Sequence, residues 1–193
     1  MRPIALQAPS FLEIIVFAAV VFLHLAKKNS SAVRLYLAQS SAVSLLLLLT
    51  AFAEPSALLV IAIVATVAVK LLIAPYFFFS LIKRHRLKFS VSTYLNTPVT
   101  VLIIAALVAF TRTDVFRPLA QLAGGGSNPL LSVAAILISL FLIINRKGAL
   151  SQMLGILSLE NGIVTFALFA GLEQSPGLQL GITFNILIWI IIA

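Results

Sequence analysis

Cysteine is absent from the sequence, only two histidines occur, and charged residues fill 9% of its 193 positions. Each scarcity excludes something. Without thiolates the chain cannot ligate an iron–sulfur cluster or a zinc–thiolate site. His24 and His85 stand too far apart to read as a metal set. A soluble domain of this length needs far more charge to cover its surface. A phosphate loop of the Walker type is missing too, because the Gly124-Gly125-Gly126 run is not followed by lysine. No two carboxylates lie close enough in sequence to form a catalytic pair.

What is present is apolar: 62% hydrophobic residues and a mean hydropathy of +1.18. A bilayer-spanning helix needs about 20 apolar residues, and several such stretches occur. Lipid offers no partner to an exposed backbone group, so each stretch must be helical. The alternation of a transmembrane barrel is missing. The reading is an all-α polytopic membrane protein of about seven spans, at 10–26, 32–53, 56–80, 93–111, 129–145, 149–170 and 176–193. The first reads as a retained span and not a cleaved signal, since only Arg2 precedes it and Lys27-Lys28 follow as a stop. The longest loop is Thr111–Asn128, whose Gly124-Gly125-Gly126-Ser127 run reads as a flexible linker.

The net charge of +8 raises the choice between nucleic acid and membrane, and position decides it. Nine basic residues fall in one set of loops: Lys27, Lys28, Arg34, Lys83, Arg84, Arg86, Lys88, Arg146 and Lys147. Three fall in the other set: Arg2, Arg112 and Arg117. The excess predicts that the first set is cytoplasmic, with the N-terminus outside and the C-terminus inside. Glu54, Asp114 and Glu173 all fall on the outer side.

A weak internal repeat is visible. Lys28-Asn29-Ser30-Ser31-Ala32-Val33 opens a helix that ends at the acidic turn Glu54-Pro55. Arg146-Lys147-Gly148-Ala149-Leu150 opens another, ending at Glu173-Gln174-Ser175-Pro176. The division is a first three-helix repeat over 1–80, a connecting helix and loops over 81–128, and a second three-helix repeat over 129–193. One span separates the copies, so they point the same way, as in transporters built of parallel repeats.

Charge inside the bilayer is expensive and therefore a functional signal. Glu160 lies in the middle of the sixth span. Ser158, Asn161 and Thr165 run beside it as a polar stripe, while Gly155 and Gly162 form a small-residue seam for close helix packing. Lys70 lies near the middle of the third span, with Thr66 one turn before it. Pro75 should remove the hydrogen bond to the Leu71 carbonyl and kink the helix just past the lysine. The bland reading of both charges is a static, hydrogen-bonded partner; the sharper one is a proton relay with Glu160 and Lys70 as stations at similar depth. Tyr36, Gln39, Ser40 and Ser44 on the second span and Asn185 on the seventh extend a supporting polar path that includes Asn161 and Thr66. Glu13 and His24 stand near span ends and read as interfacial, Trp189 as lipid-facing or packing, and His85 as a solvated loop residue.

The segment Asn145-Arg146-Lys147-Gly148-Ala149-Leu150-Ser151-Gln152-Met153-Leu154-Gly155, followed by Leu159-Glu160-Asn161-Gly162, resembles hydrogenase-4 component E. That membrane subunit belongs to complex I-like hydrogenases. Its C-terminal half is similar to the K-type subunit of complex I and to the C subunit of multisubunit cation/proton antiporters. Tyr36-Leu37-Ala38-Gln39-Ser40 and Val69-Lys70-Leu71-Leu72-Ile73-Ala74-Pro75 look like that family's second and third spans. The resemblance covers nearly the whole chain, best over 28–80 and 145–188. It implies that Glu160 is a carboxylate of the proton path and Lys70 its counterpart in the first repeat. The chain departs from the family in its last span, where Gln179 and Asn185 stand in place of acids, and in ending at Ile192-Ala193 without a basic tail. That ending suggests a stretch of a longer protein.

The expected function is a non-catalytic membrane subunit of a complex I-like respiratory or hydrogenase complex. It would help to translocate H⁺ or Na⁺ and join antiporter-like subunits to a quinone- or hydrogenase-linked module. No cofactor is expected in this chain; a nickel–iron centre and iron–sulfur clusters would belong to partner subunits. The alternatives are a subunit of a cation/proton antiporter with no redox partner, and a structural membrane anchor. The location implied is the cell inner (plasma) membrane, with lipids and not nucleic acid around it.

Overall fold

The computed structural model describes residues 4–53, 57–84, 92–122 and 129–170, together with Gly181 and Phe184. The all-α reading holds. Among the described residues, β structure is limited to a single antiparallel bridge between Thr93 and Arg146. Helix α1 is Ile4–Leu25 and α2 is Asn29–Ala53. Helix α3, Ala57–Val67, runs into a π-helical turn, Ala68–Ile73, and out again as α4, Ala74–Arg84. Helix α5 is Thr97–Phe110; a 3₁₀ turn at Asp114–Phe116 leads to the short α6, Arg117–Leu122. Helices α7, Leu130–Asn145, and α8, Ala149–Phe169, complete the described chain.

Six of the seven expected spans fall on described residues, and they are not equal. Among the described residues four helices are long and apolar enough to cross a membrane, within Ala8–Leu25, Asn29–Phe52, Ile63–Arg84 and Ala149–Phe169. A fifth span exists if Thr97–Phe110 and Asp114–Gln121, bent by 56° at their junction, are taken together. Leu130–Asn145 is apolar but shorter: 16 residues make ~24 Å, against a ~30 Å hydrocarbon core. The expected span at 176–193 and the glycine run lie outside the described residues. The first part of the Thr111–Asn128 loop is not open chain but a 3₁₀ turn and a helical turn. There Asp114 and Arg117 form an exposed ion pair at 3.7 Å.

Two helical hairpins form the centre. Helix α1 packs on α2 and α7 on α8; α1 also lies against α7, and α2 against α8. The third span leans on α2, and α5 lies outside α7. The glycine seam on α8 meets α7: a Cβ on Gly155 would stand 2.7 Å from Ile143 Cγ1, and one on Gly162 would stand 3.0 Å from Ile136 Cγ1. Glycines seven apart thus receive isoleucines seven apart, the fit expected where helices associate by packing and not by expelling water. The outer face is correspondingly apolar, with Phe11, Leu72, Leu102 and Ile144 all more than half exposed.

The basic loops gather at one end. Tyr94 N–H donates to Asn145 O at 3.0 Å and Lys147 N–H to Ser92 O at 3.1 Å, which ties the α4–α5 connection to the α7–α8 turn. The Arg146 guanidinium donates to the carbonyls of Leu23 and Ala26, which ties the same turn to the end of α1.

Candidate functional site

The interior is divided along its length. Towards the basic end an apolar cluster includes Leu23, Val33, Tyr36, Val69, Phe78, Leu142, Leu154 and Leu157. Towards the other end a second includes Leu12, Val16, Val43, Leu47, Ile63 and Val164. Between them α2 contributes Gln39 and Ser40, α8 contributes Asn161, and the π-helical turn contributes Lys70, all at 1% exposure or less.

These side chains bond to one another. Lys70 Nζ donates to Asn161 Oδ1 at 2.7 Å. The amide of Asn161 donates in turn to Ser40 Oγ at 2.9 Å and Gln39 Oε1 at 3.4 Å. Gln39 Nε2 reaches the Val16 carbonyl on α1 at 3.4 Å. One chain of polar groups therefore crosses from the third span through α8 and α2 to α1. The Asn161 carbonyl accepts from Thr165 Oγ1 at 2.8 Å, so the backbone of the stripe is engaged as well as its side chain. Ser158, one turn earlier, meets Ser139 of α7 at 3.1 Å.

Glu160 is buried at 9% exposure beside Asn161, within electrostatic reach of Lys70 and Tyr36. Tyr36 and Ser44 are buried on α2, the Tyr36 hydroxyl facing Ser40 one turn on without reaching hydrogen-bond geometry. Thr66 is buried one turn before Lys70. The structure thus brings Lys70, Glu160, Asn161, Gln39, Ser40 and Tyr36 into one neighbourhood. Asn185, His85 and Trp189 lie outside the described residues.

The backbone at Lys70 differs from the sequence expectation in an informative way. A proline in an α-helix leaves the carbonyl four residues back without a donor and its ring collides there. That would free Leu71 O and kink the helix. Instead the chain widens into a π turn, and Ala74 N–H bonds to Val69 O, five residues back. In that register the next bond would run from residue 75 to the Lys70 carbonyl, and Pro75 cannot supply it. Single π turns of this kind concentrate at functional positions, where the extra residue re-aims a side chain.

Three residues read as interfacial or loop-borne are buried within the protein. Glu13 has 5% exposure and accepts from Ser132 N–H at 3.1 Å, in the first turn of α7. Helix α7 is preceded by Pro129, whose side chain caps nothing. The first amides of any helix lack a partner within it. The carboxyl from α1 supplies one here. His24, also 5% exposed, bonds Ile138 O at 3.0 Å and stacks on Phe141 at 4.8 Å between ring centres. Arg146, 2% exposed, caps the last carbonyls of α1. All three contacts span more than a hundred residues, so no local signal announces them.

Among the described residues no group of three His, Cys, Asp or Glu could hold a metal ion. Fold and site together define an all-α membrane protein with a charged and amide-rich layer buried between its helices. No family model matches the chain, and no curated protein or solved structure matches it.

Proposed function

We propose that this chain is a non-catalytic subunit of a complex I-like, ion-translocating membrane complex, and that its buried polar layer carries part of the proton or sodium path. The observation that carries the reading is Lys70, 1% exposed, bonded at 2.7 Å to Asn161 and under the influence of the adjacent Glu160. A cation and a carboxyl are costly to hold inside a bilayer, and proteins that keep them there use them. In a low-dielectric interior a change of protonation at one group strongly alters its neighbours, which lets charge movement pass along a chain of sites. The amide of Asn161 joins Lys70 to α2, and the π turn aims the lysine at it.

The resemblance to hydrogenase-4 component E, with its Leu159-Glu160-Asn161-Gly162 and Lys70–Pro75 segments, supports the same reading. Two parallel repeats are part of the proposal. In the packing, α1 lies on α7 and α2 on α8, so the helices that the repeat would make equivalent are neighbours. The partners are antiporter-like subunits and a quinone- or hydrogenase-linked module, which would hold any nickel–iron centre or iron–sulfur clusters. The membrane is the plasma membrane, with the basic loops on the cytoplasmic side.

The test is ion pumping by the purified complex in proteoliposomes. Glu160→Gln should leave the complex assembled and slow or uncouple translocation. Pumping at the wild-type rate would remove Glu160 from the path. Subunits that co-purify separate a redox-linked complex from a cation/proton antiporter without one.

A further inference from the structure

At the basic end, a cavity of about 60 Å³ opens beside the α7–α8 turn, lined by His24, Lys27, Thr93, Thr97, Thr100 and Arg146 among others. Three features of its lining point to an oxyanion. First, its charge is one-sided: Lys27 and Arg146 contribute to it, and among the described acids, Glu13, Asp114 and Glu160, none does. Burial lowers the Arg146 guanidinium to about 10, which leaves it cationic at neutral pH.

Second, two residues of the lining each carry a buried nitrogen that no protein atom engages: Nε of Arg146 and Nδ1 of His24. Of the five N–H donors of Arg146, three bond the carbonyls of Leu23 and Ala26, and Nε–H is among those that remain. His24 Nε2 faces the Ile138 carbonyl, which can only accept, so Nε2 carries the hydrogen. In the neutral ring Nδ1 is then an acceptor. Third, α5 begins at the cavity. Asn96 caps the Val99 amide at 3.0 Å, and Thr97 at the head of the helix lies in the lining, so the positive end of a 14-residue helix adds to the field.

We propose that this cavity binds a phosphate group that also presents a hydroxyl. Its oxyanion takes the Arg146 Nε–H and the Lys27 ammonium, and its hydroxyl donates to His24 Nδ1. A phosphatidylglycerol headgroup has this chemistry, and so does inorganic phosphate. Polar and basic pockets at the ends of membrane helices hold anionic headgroups in this way. Tyr94, two-thirds exposed and 4.7 Å from Lys147 Nζ in a cation–π contact, places an interfacial aromatic beside it. The proposal is independent of ion translocation.

The experiment uses the full chain, with the subunits that co-purify, in nanodiscs of phosphatidylcholine. The readouts are thermal stability and native mass spectrometry. In one arm the discs contain increasing phosphatidylglycerol; in the other, inorganic phosphate is titrated into discs that lack it. Either arm should give saturable stabilisation, and the arm that does identifies the source. Lys27→Gln should weaken it roughly fivefold, the worth of one basic contact at a membrane surface. His24→Phe, which keeps the ring against Phe141, should weaken it for a ligand with a hydroxyl. Arg146 is left intact because it caps α1. Stabilisation in neither arm means that the cavity holds water only and overturns the proposal. Stabilisation unchanged in both variants places the ligand elsewhere and overturns it equally.

Discussion

At the scale of single residues, Asn161 is the pivot of the buried layer. Its amide accepts from an ammonium on one side and donates to two α2 side chains on the other. A buried charge that loses its acceptor keeps its desolvation cost and gains nothing in return. Asn161→Leu should therefore destabilise the chain by about 2 kcal/mol, read from unfolding in mixed micelles. Combining it with Lys70→Met should recover most of that loss, because the double change removes the ammonium that needed the amide. Additive losses would show that Lys70 does not depend on Asn161. Ser158 and Thr165, on the same stripe, are tied to Ser139 and to the Asn161 carbonyl, so polarity alone does not separate a path residue from a fastening between helices.

At the scale of elements, two devices are open to test. The π turn ends two residues before Pro75, whose missing amide breaks the α-helical bonding pattern. Pro75→Ala restores an amide, lets the turn relax to α geometry, and should swing Lys70 by ~100° about the helix axis. The coupling between Lys70 and Asn161 in a double-mutant cycle should then fall towards zero; full coupling in the Pro75→Ala background would separate the turn from the proline. The glycine seam is the second device. Gly155→Ala places a Cβ 2.7 Å from Ile143 Cγ1 and 3.3 Å from its backbone nitrogen, so α7 and α8 must part. The cost should be about 1–3 kcal/mol. Gly148→Ala, with open space around the new carbon, should cost far less. Equal unfolding of the two variants would mean that the seam is not tight.

The seam was legible in sequence because seven residues make two helical turns and return to one face. The buried lysine and carboxyl were legible because they interrupt apolar runs. The π turn was not, since a proline predicts a lost bond but not which carbonyl the chain will leave behind.

At the scale of the whole molecule, the described parts of the connections after α1, after α4 and after α7 share one end, joined by Arg146 and by the Lys147–Ser92 bond. Arg112 and Arg117 lie beyond the other end of α5. The orientation is testable because the sequence has no cysteine. In intact cells an impermeant thiol reagent should label Thr113→Cys from outside, and Lys147→Cys only after permeabilisation. The reverse pattern would invert the topology.

Sequence by itself determined that the chain is helical and membrane-embedded, and which residues break its apolar runs. Those properties follow from composition and spacing along one strand of chain, and the solvent enforces them. The tertiary structure alone decided which of the polar residues belong together. Lys70 with Asn161, Glu13 with Ser132, His24 with Ile138 and Arg146 with Leu23 are pairs separated by 91 to 123 positions. A helix fixes the direction of a side chain relative to its own axis. Only the packing of one helix against another fixes what that side chain meets, and in lipid a buried polar group is stable only where a partner from another helix has been brought to it.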